Sequence, residues 1–346
     1  MMKATPKGPA RKRRSRLNTG RAAIAVAAVS LIALTGCISG KGGGSGAANY
    51  PDGALNYIIP YSPGGSSDPA GREFSRMLAE ELGTTVVNQN LPGGDETIGT
   101  SAILSAEPDG MTLGFAAPSG LIIQPMLKDL AYEDKGYTPI SKLAFVPNAL
   151  LVGKDSPYRT LDEFIAAAKD KPGELTIGTT SNTSSNTFTA YALEQQADIA
   201  VTMVPFTGGA GEAVLAAISG EIDAVVAATS AQLGLIEAGD LVALAHTATP
   251  EYNKVLPGAV SFEEAGLDIP LGGHYLTVAP AGLDEGVEQK LVQASKKVVE
   301  SAAWAKWCEN NGFLPDPMAG TELDEWLAQQ TKLSADMLER AKSRTN

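Results

Sequence analysis

Three short stretches of this sequence are rich in glycine, in hydroxyl-bearing side chains or in both: Pro63-Gly64-Gly65-Ser66-Ser67, Thr180 to Asn186, and Phe206-Thr207-Gly208-Gly209. Unpaired backbone N–H groups at such turns, and at the helix N-termini they lead into, carry partial positive charge and suit a carboxylate or phosphate. No Lys or Arg lies between Tyr61 and Gly71, between Thr176 and Leu193, or between Val201 and Ile236. An anionic ligand would therefore be held by neutral donors. These are the amides around Gly64, Gly65, Gly208 and Gly209 and the hydroxyls of Ser66, Ser67, Thr180, Ser181, Thr183, Ser184 and Ser185. Hydrogen bonds to charged groups are worth about 1.5–3 kcal/mol each. About four or five of them, less the cost of association, reach the roughly −8 kcal/mol of micromolar binding.

Such loops need strands that run into them. Asn56 to Tyr61, Met111 to Ala116, Leu175 to Thr179, Val201 to Pro205 and Ile222 to Ala227 read as short apolar strands, each followed by small or hydroxyl-rich residues and then a helix or turn. This alternation predicts an α/β fold of sheets flanked by helices, with the ligand beyond the carboxyl ends of the strands. Loops gathered there add Tyr61, Ser62, Asp68, Ala117, Ser119, Asn182, Asn186, Phe206, Thr207 and Thr229 to the candidate site. Asp68, before Pro69, either caps a helix carrying Phe74, Met77, Leu78 and Leu82 or contacts a polar group of the ligand. Phe206 either walls the cleft or belongs to the core, and Asp223 marks a strand start.

The length fits two doubly wound halves better than one long sheet. The chain is expected to cross near Phe145 to Val152 and to return near Gly272 to Val278. One lobe would be 50–151 plus 272–346 and the second 152–271. The tail from Asp284 to Ser343 reads as mainly helical, with Val287, Leu291, Ala294 and Val298 on the face that packs against the first lobe.

Composition narrows the chemistry. The 346 residues carry a formal net charge of −12, and residues 1–36 hold eight basic side chains and no acid, which leaves 19 of the 27 basic residues against all 39 acidic ones. Such a body repels phosphate backbones, so no nucleic-acid partner is expected. Two Cys and two His offer neither a disulfide framework nor a histidine-rich metal site, and no metal or cofactor is expected. Gly209-Ala210-Gly211-Glu212-Ala213-Val214 follows a strand, but Val214 stands where a dinucleotide fingerprint needs its third Gly. There is no nucleophile elbow and no P-loop. His246 and His274 read as hydrogen-bonded structural residues, and Cys308 as a small buried hydrophobe.

The N-terminal basic run leads into Ala22 to Leu34, a mostly apolar stretch too short for the roughly 20 residues of a membrane span and suited to a signal-peptide core. Its end, Leu34-Thr35-Gly36-Cys37, resembles the lipobox of bacterial lipoproteins. That resemblance implies removal of residues 1–36 and lipidation of Cys37, which would anchor the protein to the outer face of the cytoplasmic membrane. Residues 37–49, rich in Gly and Ser, then form a flexible tether.

Ile58-Ile59-Pro60-Tyr61-Ser62-Pro63-Gly64-Gly65-Ser66-Ser67-Asp68 with Arg72, Asn90-Leu91-Pro92-Gly93, Ile98-Gly99, Pro108-Asp109-Gly110-Met111-Thr112-Leu113, Val204-Pro205-Phe206-Thr207-Gly208-Gly209, and Leu256-Pro257 with Glu264-Ala265-Gly266-Leu267 occur in this order. Together they resemble the extracytoplasmic substrate-binding receptors of tripartite tricarboxylate transporters over nearly all of 50–340. The resemblance implies a type II Venus-flytrap fold, each lobe a sheet flanked by helices, that closes over a small carboxylate. It also implies docking on a permease of one large and one small integral subunit, driven by an ion gradient and not by ATP; the receptor itself is expected to be a monomer. In that family the ligand carboxylate is gripped by loops that are here Ser62 and Gly64 to Asp68, Thr180 to Asn186, and Phe206 to Gly209. The sequence departs from the family at Leu91-Pro92-Gly93-Gly94-Asp95-Glu96, where Arg-Pro-Gly-Ala-Gly-Gly is usual. It departs again at His274-Tyr275, near a customary Trp, and at Phe206, where Tyr is common.

The first reading is thus a binding protein, not an enzyme, that delivers a mono-, di- or tricarboxylate to a carrier. Its rivals are a same-fold receptor for another small anion or an amino acid, a lipid-anchored secreted hydrolase, and a structural lipoprotein without ligand.

Overall fold

The computed structural model describes residues 49–130, 132, 136–180, 184–206 and 209–344, with side chains to Glu339. The signal segment, Cys37, and all of the tether except Asn49 lie outside the described residues.

The chain is a mixed α/β fold. Strands β1 (Leu55–Ile59), β2 (Val86–Asn90) and β3 (Thr112–Ala116) pair in parallel, with helices α1 (Ser67–Glu81) and α2 (Thr97–Leu104) between them. A π-type turn, Ser119–Ile123, leads through α3 (Gln124–Leu127) to the long β4 (Tyr137–Gly153). The next strands are β5 (Thr176–Thr179), β6 (Thr202–Pro205), β7 (Ala224–Ala228), β8 (Leu241–His246) and β9 (Val260–Ser261), interleaved with α4 (Leu161–Asp170), α5 (Ser185–Gln196), α6 (Ala210–Ser219) and α7 (Leu233–Glu237). The chain returns through β10 (Gly272–Pro280), α8 (Glu285–Val299), α9 (Ala302–Asn310), β11 (Leu314–Met318) and α10 (Thr321–Arg344).

The sheet order is β2-β1-β3-β10-β4-β7-β5-β6, with β11 and β8 also on β4 and β9 beyond β8. Strand β4 belongs to both halves. Its residues 137–147 pair antiparallel with β10, and residues 148–153 pair with β7 and β8. One core gathers Tyr57, Phe74, Phe115, Leu291 and Trp304, and another gathers Leu150, Phe164, Ile177, Val226 and Phe262. Val287, Leu291, Ala294 and Val298 are buried in the first of these, as their spacing predicts.

The five strands expected from apolar runs are present within two residues of the expected bounds. The tail differs from the sequence reading, because β11 interrupts its helices and pairs with β4. Asp68 also differs. Helix α1 starts one residue before it, at Ser67, and no side chain caps that end. Asp68 instead accepts from Arg72 Nε at 2.8 Å and from Asn90 Nδ2 at 2.8 Å, which ties the first turn of α1 to the end of β2. Asp223 does mark a strand start, where its Oδ2 accepts from the Thr176 N–H and hydroxyl, both at 2.8 Å.

Candidate functional site

A cavity of about 890 Å³ lies where β1, β3, β5, β6 and β7 deliver their carboxyl ends. This is the usual place for ligand capture in an α/β sheet, and the volume suits a small molecule. Of the residues expected there, it is lined by Tyr61, Ser62, Gly64, Gly65, Ser66, Ser67, Ala117, Ser119, Thr180, Ser184, Ser185, Asn186 and Gly209. Ser181, Asn182, Thr183, Thr207 and Gly208 lie outside the described residues. Asp68, Phe206 and Thr229 are placed away from the wall. Asp68 is held by Arg72 and Asn90, and Phe206 packs on the core of Ala213 and Ile222. The Thr229 hydroxyl is buried against the Tyr252 hydroxyl at 2.9 Å.

Each loop is fixed by the element after it. Gly64, at φ +88°, turns the first loop, and the Tyr275 hydroxyl clasps it, 2.7 Å from Ser66 Oγ and 3.3 Å from Ser67 Oγ. Tyr275 in turn meets Phe115 edge-on, with ring centroids 4.7 Å apart. Ser184 caps α5 by accepting from the Thr187 N–H at 3.3 Å, and it also accepts from the Thr180 hydroxyl at 3.0 Å. Gly209 opens α6 at φ +96°. Helices α1, α5 and α6 therefore begin at loops that border the cavity, so their N-terminal partial charges lie beside it.

Among the described residues, no Lys or Arg lines this cavity, whereas Asp95, Glu96 and His274 do. Burial holds the His274 pKa below the ordinary histidine value, against the opposing pull of Asp316. The Glu96 carboxylate accepts from the Ser119 hydroxyl, at 2.8 Å and 2.6 Å to its two oxygens, and from Tyr61 and the Gly120 N–H. Burial pushes Glu96 up to about 7 in spite of these donors. His246 is buried and hydrogen-bonded to Asn253 at 2.7 Å, away from the cavity. Cys308 is fully buried, and burial pushes its thiol up to about 12, far from a nucleophile's range. Among the described residues no His, Cys, Asp and Glu group could hold a metal ion.

Sequence reasoning did not place Asn148, Tyr275, Gln232 or the Gln330 to Met337 stretch of α10 at this wall. Asn148 and Tyr275 sit within strands, where nothing local marks a residue as facing a cavity. Asp95 and Glu96 did carry a signal, as acids where a related pattern has small residues.

The sequence matches the tripartite tricarboxylate transporter family receptor over residues 71–342. It is 26% identical over 301 residues to a UPF0065 protein of Bordetella pertussis, covering 85% of this chain and 91% of that one. A Rhodopseudomonas palustris protein solved with adipate superposes with a TM-score of 0.77 at 20% identity, covering 85% of this chain and 98% of that one. MatC of the same organism, solved with bound malate, gives 0.72 at 23% identity, covering 83% and 99%. The chain belongs to the tripartite tricarboxylate transporter receptor family, a family of solute-binding receptors and not of enzymes.

Proposed function

We propose that this receptor captures a small mono-, di- or tricarboxylate in the cavity between residues 50–151 plus 272–346 and residues 152–271, which act as two closing lobes. The observation that carries this reading is the cavity wall: loop amides and hydroxyls at strand ends, with no Lys or Arg among the described lining residues. Malate and adipate, bound by two structural neighbours, are both dicarboxylates, which supports the ligand class. The gripping groups are the amides of Gly64, Gly65 and Gly209 and the hydroxyls of Ser62, Ser66, Ser67, Thr180 and Ser185, completed by Ser181 to Thr183, Thr207 and Gly208.

A panel of aliphatic and aromatic carboxylates tests the reading by melting shift. At 100 times its Kd a true ligand adds about 2.7 kcal/mol, a rise of several degrees. No shift with any carboxylate, or turnover of an ester, amide or phosphoester, would contradict it.

The receptor works outside the cytoplasmic membrane as a monomer and hands its cargo to one large and one small membrane subunit driven by an ion gradient. The lipobox-like Leu34-Thr35-Gly36-Cys37 supports a lipid anchor, and among the described residues no helix is long and apolar enough to cross a membrane. Cys37→Ser should release the protein from membranes in cell fractionation; continued palmitate labelling would refute the anchor.

A further inference from the structure

We infer that the ligand carries, besides its carboxylate, an amino group that is held by Glu96. This rests on the carboxylate-receptor reading and narrows it.

Glu96 occupies a backbone position at φ +76° that L side chains rarely adopt. Such a conformation persists when the surroundings demand it, and here it turns the carboxylate onto the cavity wall. Gly120 makes room for it, since a Cβ there would stand 2.9 Å from Glu96 Oε2. The adjacent Asp95 already has a counter-ion, with Lys128 Nζ 3.0 Å away. Every donor to Glu96, from Ser119, Tyr61 and the Gly120 N–H, is neutral and favours its ionised form. The wall thus carries a carboxylate with no cation beside it among the described lining residues.

Asn148 supplies an independent sign. Its side chain is fully buried, and it lines the same cavity from β4. The Thr189 hydroxyl donates to Ser185 O at 2.8 Å, so at 2.9 Å it accepts from Asn148, which fixes that amide atom as nitrogen. Asn148 Oδ1 is then left without a partner among the described residues. A buried acceptor of this kind is costly unless a ligand donates to it.

The cavity therefore pairs anion-seeking amides and hydroxyls with two acceptors on residues that line it, one of them a carboxylate that is ionised above about pH 7. A plain dicarboxylate would set its second carboxylate against Glu96, whereas an amino-carboxylate would satisfy both ends. A purely structural role, tying the start of α2 to the 119–123 turn, would need the hydrogen bonds of Glu96 but not its charge.

The test is calorimetric titration at pH 8 with matched pairs: butyrate and 4-aminobutyrate, succinate and aspartate, glutarate and glutamate, adipate and 2-aminoadipate. The wild type should bind at least one amino member about tenfold or more tightly than its parent. Glu96→Gln keeps the shape and most hydrogen bonds, and Glu96→Gly relieves the backbone. Glu96→Gln should melt near the wild-type temperature, and both variants should stay folded and lose that preference about tenfold. Equal or tighter binding of the parent in every pair, or an unchanged preference in both variants, overturns the inference and leaves the carboxylate reading standing. Failure of these compounds and of the whole carboxylate panel overturns both.

Discussion

Replacing Gly65 with tryptophan should abolish ligand binding, with a loss of affinity beyond about 100-fold, while leaving the melting temperature nearly unchanged. Gly65 lines the cavity, and a Cβ built on it meets no atom within 4 Å. Its backbone also avoids the left-handed region that would strain a side chain, unlike neighbouring Gly64 at φ +88°. Because Gly65 lines the cavity, an indole there is placed to fill the space that the ligand needs. Losing three or more hydrogen bonds to a charged group, at about 1.5–3 kcal/mol each, accounts for the size of the effect. Titration of a carboxylate that stabilises the wild type gives the answer. Retained affinity in a folded Gly65→Trp protein would remove the first loop from the site.

Trp304→Ala should produce the largest loss of stability, about 3–5 kcal/mol. Trp304 is fully buried, stacks on Trp307 at 5.1 Å between centroids and meets Phe74 edge-on at 6.0 Å. Its indole N–H donates to Leu143 O at 3.0 Å, so truncation leaves both a cavity and an unpaired carbonyl on β4. Because β4 runs on to Asn148 at the ligand cavity, this residue anchors the C-terminal helices to the strand shared by both halves of the sheet. Denaturant unfolding should show the midpoint falling at an unchanged slope. Trp304→Phe should recover much of the loss. A cost below about 1 kcal/mol for the alanine variant would mean that the α8 and α9 packing contributes little to this core.

The parts of the fold legible in the sequence were those written in short-range pattern. Val201 to Pro205 and Leu175 to Thr179 are apolar runs ended by turn residues, and they form β6 and β5 within one residue of expectation. Strand β11 was not legible, because Leu314-Pro315-Asp316-Pro317-Met318 carries two prolines and forms only by lying along β4. Asp68 has the local chemistry of a cap, yet Asn90, 22 residues away, draws its carboxylate elsewhere. Phe206 sits in a loop otherwise suited to ligand contact, and only the packing of α6 turns it to the core.

The cavity's character was similarly divided. The hydroxyl and glycine loops could be read directly, since neutral donors at strand ends are a property of sequence order. The acceptors could not be placed there: Glu96 shows only as an acid where a related pattern has a small residue, and it reaches the wall through a left-handed backbone and the bare Cα of Gly120, while Asn148 does so through its place on β4. Those contacts join residues far apart in the chain, so no local window displays them.

A crystal structure of the protein with a bound carboxylate would examine the central proposition most directly. The expected result is a carboxylate whose oxygens lie within about 2.7–3.2 Å of loop amides and hydroxyls at the ends of β1, β5 and β6. A ligand seated elsewhere, or one whose carboxylate is paired chiefly with an arginine or lysine, would contradict it.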